Sequence, residues 1–347
     1  MSSSKKKGTG PYSGLKPASI KDIARIAGVS HSTVSRAMQN SPLVQHETRE
    51  EIQRIARDVG YRASAVARGL VTRRTRTIGV VVTTVTDPWV GEVLSAIELA
   101  AAGHGYAVFL ADSNADPARE KSVVQSFAER RVDGIVVTSS RVGALHTPML
   151  SEMMVPIVLI NNQHPGEFVH SVMIENLPAS REATGHLIGL GHRRIGYVGD
   201  RFGHHSDAER FAGYRQALHR AAAPFLPELV VHGDGKAEGG AAAMNQLLKL
   251  AVRPTAVFCY NDMTALGALR AIYGHGLRVP ADISLVGFDD LFFASYTQPP
   301  LTTVRQPRRE MGRMALESLL KLMAGEEPAE IRVPAELIVR ESTAAPG

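Results

Sequence analysis

The sequence predicts a small all-α helix-turn-helix domain followed by an α/β body of two doubly wound lobes. Three observations carry this. Capped helical periodicities are confined to Ser19–Gly60, and from Ile78 onward short apolar runs alternate with amphipathic helical stretches. Charge divides at the same place: residues 1–76 hold 15 Lys and Arg against 5 Asp and Glu, whereas the remaining 271 hold 24 against 29. A chain of 347 residues fits two to three domains at about 150 residues each.

Residues 1–17, rich in Ser, Lys and Gly, have no apolar periodicity and read as a disordered basic tail. Ser19 and Asp22 have the spacing of a capping box, after which Ile20, Ile23, Ala24 and Ala27 line one side of a two-turn helix. Gly28 stops it, and Ser30 caps a second helix, His31–Met38. After Asn40-Ser41-Pro42, a third helix runs from about His46 to Asp58 with Ile52, Ile55, Ala56 and Val59 as its apolar stripe. A short helical stretch, Ser64–Val71, precedes the polar segment Thr72–Thr77.

The predicted strands of the body are Ile78–Thr83, Ala107–Ala111, Gly134–Thr138, Ile157–Asn161, Arg194–Val198, Ala256–Cys259 and Ser284–Gly287. The helical stretches Gly91–His104, Glu120–Arg131, Ser180–Leu190 and Met263–Tyr273 separate them. Continuous apolar strands alternating with helices indicate parallel sheets covered on both faces. About 270 residues is large for one such sheet, so two lobes around a cleft are expected, with ligand beyond the carboxyl ends of the strands.

Composition narrows the function. The chain is 44% hydrophobic and 21% charged with mean hydropathy −0.05. No run reaches the roughly 18 apolar residues of a membrane span, and residues 1–17 have no apolar signal-peptide centre. Cys259, the single cysteine, cannot form an intramolecular disulfide or a cysteine zinc cluster and reads as a small core residue. A cytoplasmic protein with no membrane partner is therefore expected. The basic N-terminal fifth suits a polyanion, with a solubilising face as the plainer alternative.

On the second helix, successive steps of about 100° put His31, Ser32, Ser35 and Arg36 on one arc and Val34, Ala37 and Met38 on the other. The polar arc is either a solvated face or a set able to enter a major groove, with Arg36 pairing guanine O6 and N7 and His31 and Ser32 meeting base edges or phosphates.

Motifs for catalysis are missing. Gly189-Leu190-Gly191 lies before a strand, on the wrong side for a dinucleotide fingerprint. There is no phosphate loop, no His-Glu-x-x-His and no Gly-x-Ser-x-Gly elbow. His204-His205, with Asp207 and Glu209 nearby, reads as loop rather than metal site. No enzyme activity, cofactor or metal is expected.

Ser19-Ile20-Lys21-Asp22-Ile23-Ala24, Ala27-Gly28-Val29-Ser30 and Thr33-Val34-Ser35-Arg36 resemble the headpiece of the lactose-repressor family of bacterial transcription regulators. The likeness continues through Gly60-Tyr61 and Ala67-Arg68-Gly69-Leu70. In the body it includes Arg131-Val132-Asp133-Gly134-Ile135, Gly191-His192-Arg193-Arg194-Ile195, Asn261-Asp262, Val286-Gly287-Phe288-Asp289-Asp290 and Pro299-Pro300-Leu301-Thr302-Thr303-Val304. Collinear over about 18–343, it is closest in wording to the purine-repressor branch, above all at Ser64-Ala65-Val66-Ala67-Arg68.

The resemblance implies a headpiece at 18–63, a hinge helix and linker at 64–76, and a body at 77–347 of the periplasmic-binding-protein fold. Its N-lobe would take about 77–175 and 306–336, and its C-lobe about 176–305 and 337–347. It implies a cytoplasmic, nucleoid-associated homodimer that reads a near-palindromic double-stranded operator through His31, Ser32 and Arg36. Ser19, Ser30, Thr33, Ser35, Asn40 and Tyr61 would support them, and hinge residues Ala67 and Leu70 would reach the minor groove, Leu70 as a wedge. The alternative for Leu70 is cover by the body. Where many relatives carry Pro-Asn, this chain has Ala63-Ser64.

Matched positions also imply a small-molecule effector held by Trp89, Val90, Arg210, Asn261 and Asp289. Trp89 suits stacking on a sugar or base, or else a core or dimer-surface position. Arg210 suits a hydroxyl or carboxylate, or else an interlobe ion pair. Phe202 and Phe292 are candidate apolar walls, and Asp290 a candidate helix cap. Glu175, where relatives often carry Asp, and Asn161-Asn162, where they often carry Asp-Arg, depart from the pattern near the cleft. The expected function is a transcriptional regulator, most plainly a repressor, whose operator affinity follows a polar metabolite: a sugar or sugar derivative, or less readily a purine. The alternative is a metabolite-binding protein of the periplasmic type without a regulatory DNA role.

Overall fold

In a computed structural model that describes residues 18–61, 74–140, 155–163 and 170–347, the chain divides into two units, Met1–Thr75 and Arg76–Gly347. The predicted tail and hinge helix, with Ala67, Leu70 and the Ala63-Ser64 departure, lie outside the described residues.

In the first unit, Ser19 starts α1 (Ile20–Ala27) by accepting from the Asp22 amide, while the Asp22 carboxylate accepts from the Ser19 backbone at 2.9 Å. Gly28, at φ 66°, ends it in the left-handed region open to glycine. Ser30 caps α2 (His31–Met38) through the Thr33 amide at 3.1 Å. α3 (His46–Asp58) closes a core of Ile23, Ala24, Val34, Ala37, Val44, Ile52, Ile55 and Ala56. These are the apolar faces that periodicity predicts.

The second unit alternates strands and helices. Lobe 1 holds β1 (Thr77–Val82), α4 (Pro88–Gly103), β2 (Ala107–Asp112), α5 (Pro117–Glu129), β3 (Gly134–Thr138), β4 (Ile157–Ile160) and β5 (Ser171–Ile174). α6 (Asn176–Gly189), β6 (Ile195–Asp200), α7 (His205–Arg220), β7 (Val230–Gly233), α8 (Ala237–Leu248), β8 (Ala256–Cys259), α9 (Asp262–Gly274) and β9 (Ser284–Val286) form lobe 2. β10 (Thr303–Arg305), α10 (Arg308–Met323), β11 (Ile331–Val333) and β12 (Glu336–Ile338) complete the described elements.

All pairings in the six-stranded sheet, order β11-β5-β4-β3-β1-β2, are parallel, as are those in the four-stranded sheet, order β7-β6-β8-β9. β3, β4 and β5 are buried along their whole length, as sheets covered on both faces require. β10 and β12 pair antiparallel between the lobes' sequences. The chain passes between lobes after β5, between β9 and α10, and between β11 and β12. β5, β7, α7, α8 and the elements from β10 onward are not among the elements that sequence patterning predicts.

Helices α8 and α9 approach closely because both carry glycine at the contact. A Cβ at Gly267 would lie 1.9 Å from the Ala237 carbonyl oxygen, and one at Gly240 would lie 2.3 Å from that of Thr264. Gly267→Ala should therefore force the helices apart, a core overpacking of about 1–3 kcal/mol, and lower the melting temperature by several degrees. An unchanged thermal unfolding curve would refute this close approach.

Candidate functional site

In the first unit, α2 carries His31, Ser32 and Arg36 exposed on one face, with Val34 and Ala37 buried on the other. The helix is held by its apolar face, so its polar face is free of packing duties. The predicted supporting residues have local work. The Ser30 hydroxyl lies 2.7 Å from that of Ser32 and 2.8 Å from that of Thr33, so one cap orders the first turn. Asn40, at φ 54°, accepts from Gln53 at 2.9 Å and fixes the turn after α2. Ser35 is half-buried, and Tyr61 packs against the three-helix core.

In the second unit, a cavity of about 390 Å³ opens between the lobes. Its wall is built where parallel strands end. Thr83 follows β1, Ser139 follows β3, Asn161 follows β4, Asp200 ends β6, Gly235 follows β7, Asn261 follows β8, and Asp289 lies just beyond β9. Both sheets thus aim their carboxyl ends at one space, the place where doubly wound folds bind ligands.

Four of the five predicted effector residues meet there: Trp89, Arg210, Asn261 and Asp289. Val90 does not. Val90, the third residue of α4, faces the lobe 1 core, where it is 2% exposed. Trp89 serves both core and cavity, and its indole N–H donates to Gln306 at 3.1 Å. Asp87 orders this turn by accepting from the Trp89 amide at 2.9 Å.

Arg210 is 4% exposed on α7. Its guanidinium carbon lies 3.7 Å from the Phe288 ring centroid and 4.8 Å from that of Tyr260. It donates to Asn176 at 3.0 Å and to the Tyr260 carbonyl at 2.6 Å, and stands 3.9 Å from Asp289. Stacked and hydrogen-bonded, this cation is set in one orientation before any ligand arrives. Asn261 caps α9 through the Thr264 amide at 2.8 Å and donates to the Gly235 carbonyl at 2.9 Å.

Asp289 has φ 115°, a strained backbone for a residue with a side chain. Its amide donates to the Val304 carbonyl at 2.8 Å, and its own carbonyl accepts from Arg308. Burial pushes its carboxyl up to about 6, against the lowering pull of Arg210 and Arg308. Fully buried Asp262 is raised well above the carboxylate range by the same desolvation and by Asp289.

Three expectations are corrected. Phe202 and Phe292 are 53% and 70% exposed and are not among the residues lining the cavity, because Phe202 sits under Arg201 after β6 and Phe292 begins a one-turn 3-10 helix (Phe292–Ser295) whose buried residue is Ala294. Asp290 caps no helix; it pairs with Arg305 at 2.7 Å and Arg340 at 2.6 Å. Of the departures from the family pattern, Asn161 lines the cavity and Glu175 does not, since it begins α6. His204 lines the cavity and bonds Asp200 at 2.6 Å, and His205 faces Glu209 at 3.4 Å. Sequence reasoning missed Gln306, Asp87, Tyr260 and Asn176, which carry no motif and gather only through the fold.

The comparisons agree with this geometry. Residues 19–64 match the model of the bacterial regulatory proteins, lacI family, and residues 184–343 that of a periplasmic binding protein-like domain. The HTH-type transcriptional repressor CytR of Escherichia coli (strain K12) is 37% identical over 330 residues, covering 94% of this chain and 97% of the relative. The repressor PurR of Haemophilus influenzae (strain PittEE) is 33% identical, covering 94% and 98%. Among solved structures, the lac repressor dimer bound to operator and the anti-inducer ONPF superposes with a TM-score of 0.86 at 29% identity, covering 95% of this chain and all of that one. With its headpiece and body both matched in order along nearly its whole length, the chain belongs to the lacI family of bacterial regulatory proteins.

Proposed function

We propose that this protein is a transcriptional repressor of the bacterial cytoplasm. Its dimer binds a near-palindromic operator, and a small polar metabolite held between the lobes sets its operator affinity. The observation that carries this is the pairing of an exposed polar face on a capped helix with a polar cavity at the strand ends. A basic N-terminal fifth supplies the attraction to phosphate, and base edges supply the choice of sequence. Arg36 would read guanine, with His31 and Ser32 beside it. Ser19, Ser30, Thr33, Ser35, Asn40 and Tyr61 would support the helix on the duplex, with Ala67 and Leu70 acting from the hinge.

In the body, Arg210, Asn261 and Asp289 offer oriented donors and acceptors beside the Trp89 ring, a set suited to a sugar or sugar derivative and also able to meet a purine. Closure of the lobes on that ligand and binding of DNA are then linked by one coupling energy, typically about 1–3 kcal/mol. A dimer would also cover apolar side chains on lobe 1. β2 is an edge strand, with Phe109 and Leu110 48% and 43% exposed, and Leu99 on α4 is 74% exposed.

Arg36→Ala should cost about 1–3 kcal/mol on the operator and relax base choice; equal losses on operator and random duplex at fixed salt would refute base reading. Asp289→Ala should blunt the effector response while ligand-free operator binding persists. An effector titration identical to that of the unaltered protein would remove Asp289 from the site. Phe109→Asp should convert the dimer to monomer in sedimentation velocity, and an unchanged sedimentation coefficient would place the interface elsewhere.

A further inference from the structure

Gln306 lies in the short link between β10 and α10 and is 3% exposed. Its amide oxygen accepts from the Trp89 indole at 3.1 Å, and its amide nitrogen donates to the Asp289 carboxylate at 2.5 Å. An indole N–H only donates and an ionised carboxylate only accepts, so a primary amide suits this position and its two ends are assigned by its neighbours. Trp89 belongs to the first turn of α4 in lobe 1, and Asp289 stands where the chain leaves lobe 2. With Arg210 beyond Asp289, four cavity-lining side chains form one chain of contacts from lobe to lobe.

We propose that Gln306 is a positioning residue that ties the Trp89 indole to the Asp289 carboxylate, so that a change at the carboxylate is felt at the first turn of α4. The inference rests on the cavity being the effector site. α4 is a firm recipient. It packs so closely on α10 that a Cβ at Gly312 would lie 2.6 Å from the Val93 carbonyl oxygen, and Arg308 on α10 binds Glu92 on α4 at 2.8 Å. An occupant that engages Asp289 would therefore act on two packed helices through one amide.

A proton can stand in for the ligand. Asp289 is faced by the cations Arg210 and Arg308, the carboxyls of Asp87 and Asp262, and the Tyr260 phenol, and burial leaves its carboxyl at about 6. Above that value the ionised carboxylate accepts from Gln306 and polarises the amide, which strengthens the bond from the indole. Below it the neutral carboxyl is a weaker acceptor, the amide is less polarised, and the bond from the indole weakens. Trp89 is the only tryptophan, so its emission reports the relay directly.

The experiment follows tryptophan emission of the ligand-free, full-length protein from mildly acidic to neutral pH. One step with a midpoint near 6 is expected, red-shifted on the alkaline side. It should disappear in Asp289→Asn and Gln306→Met, and in Asp87→Asn it should persist with its midpoint moved to lower pH, because the Asp87 charge raises the Asp289 carboxyl. Gln306→Glu should retain the step but move it to higher pH, because two adjacent carboxyls resist joint ionisation. A wild type without a step, a Gln306→Met variant with the wild-type step, or loss of the step in Asp87→Asn would each overturn the proposal. Should Gln306→Met fail to melt cooperatively, Gln306→Glu decides, and an unmoved midpoint overturns it. A panel of free sugars and nucleosides that alters neither Trp89 emission nor operator affinity would instead count against the effector-site reading, with the pH relay still standing on its own result.

Discussion

The body depends on how its buried carboxyl groups are hydrogen-bonded and paired where the chain leaves lobe 2. Asp262 is fully buried and accepts from the Thr303 hydroxyl at 2.5 Å and the Leu291 amide at 2.7 Å. Asp290 is held by Arg305 and Arg340, while Arg308 collects the carbonyls of Asp289 and Asp290. A buried polar or charged group left without partners is strongly destabilising, so these groups prescribe one another's positions. The segment after β9, β10, the start of α10 and the segment after β12 are thereby drawn to one junction. The lobes, their cavity and the crossing chain meet there.

That junction also makes the cavity selective in its chemistry. Arg210 is stacked on rings and hydrogen-bonded before a ligand arrives, and Asp289 is held at an unfavourable φ by the Val304 carbonyl on its amide and the Arg308 guanidinium on its carbonyl. Preorganisation of this kind moves the cost of ordering from binding to folding. The headpiece follows the same rule on a smaller scale. Its α2 has only eight residues, too few for a stable isolated helix in water, and it is ordered by the Ser30 cap and by the core that Val34 and Ala37 join. Side-chain polarity alone would not present His31, Ser32 and Arg36 together; the capped and packed helix does.

Local signals account for what was legible. Ser19 with Asp22, Gly28 and Ser30 define helix ends through hydrogen bonds within a few residues, so α1 and α2 could be bounded from sequence. Strands such as Gly134–Thr138 and Ala256–Cys259 were legible because burial on both faces demands continuous apolar runs. β7 is less apolar and only partly buried for most of its length, and β10, β11 and β12 have three residues each, too short for periodicity. α8 begins Ala-Glu-Gly-Gly, a poor helix former by propensity; Gly240 lets α9 approach, while Gly239 makes room for Asp234.

By itself the sequence determined the two-part organisation, the family, the helix that offers Arg36, and four residues of the cavity wall, since each rests on a contiguous pattern or a matched motif. Tertiary structure decided which neighbours of those residues count. It sent Val90 into the core, turned Phe202 and Phe292 outward, paired Asp290 with arginines and brought Gln306 between Trp89 and Asp289. The physical reason is that buried polar groups must find partners wherever the packed chain brings them, and Gln306 and Trp89 meet across 217 positions of sequence.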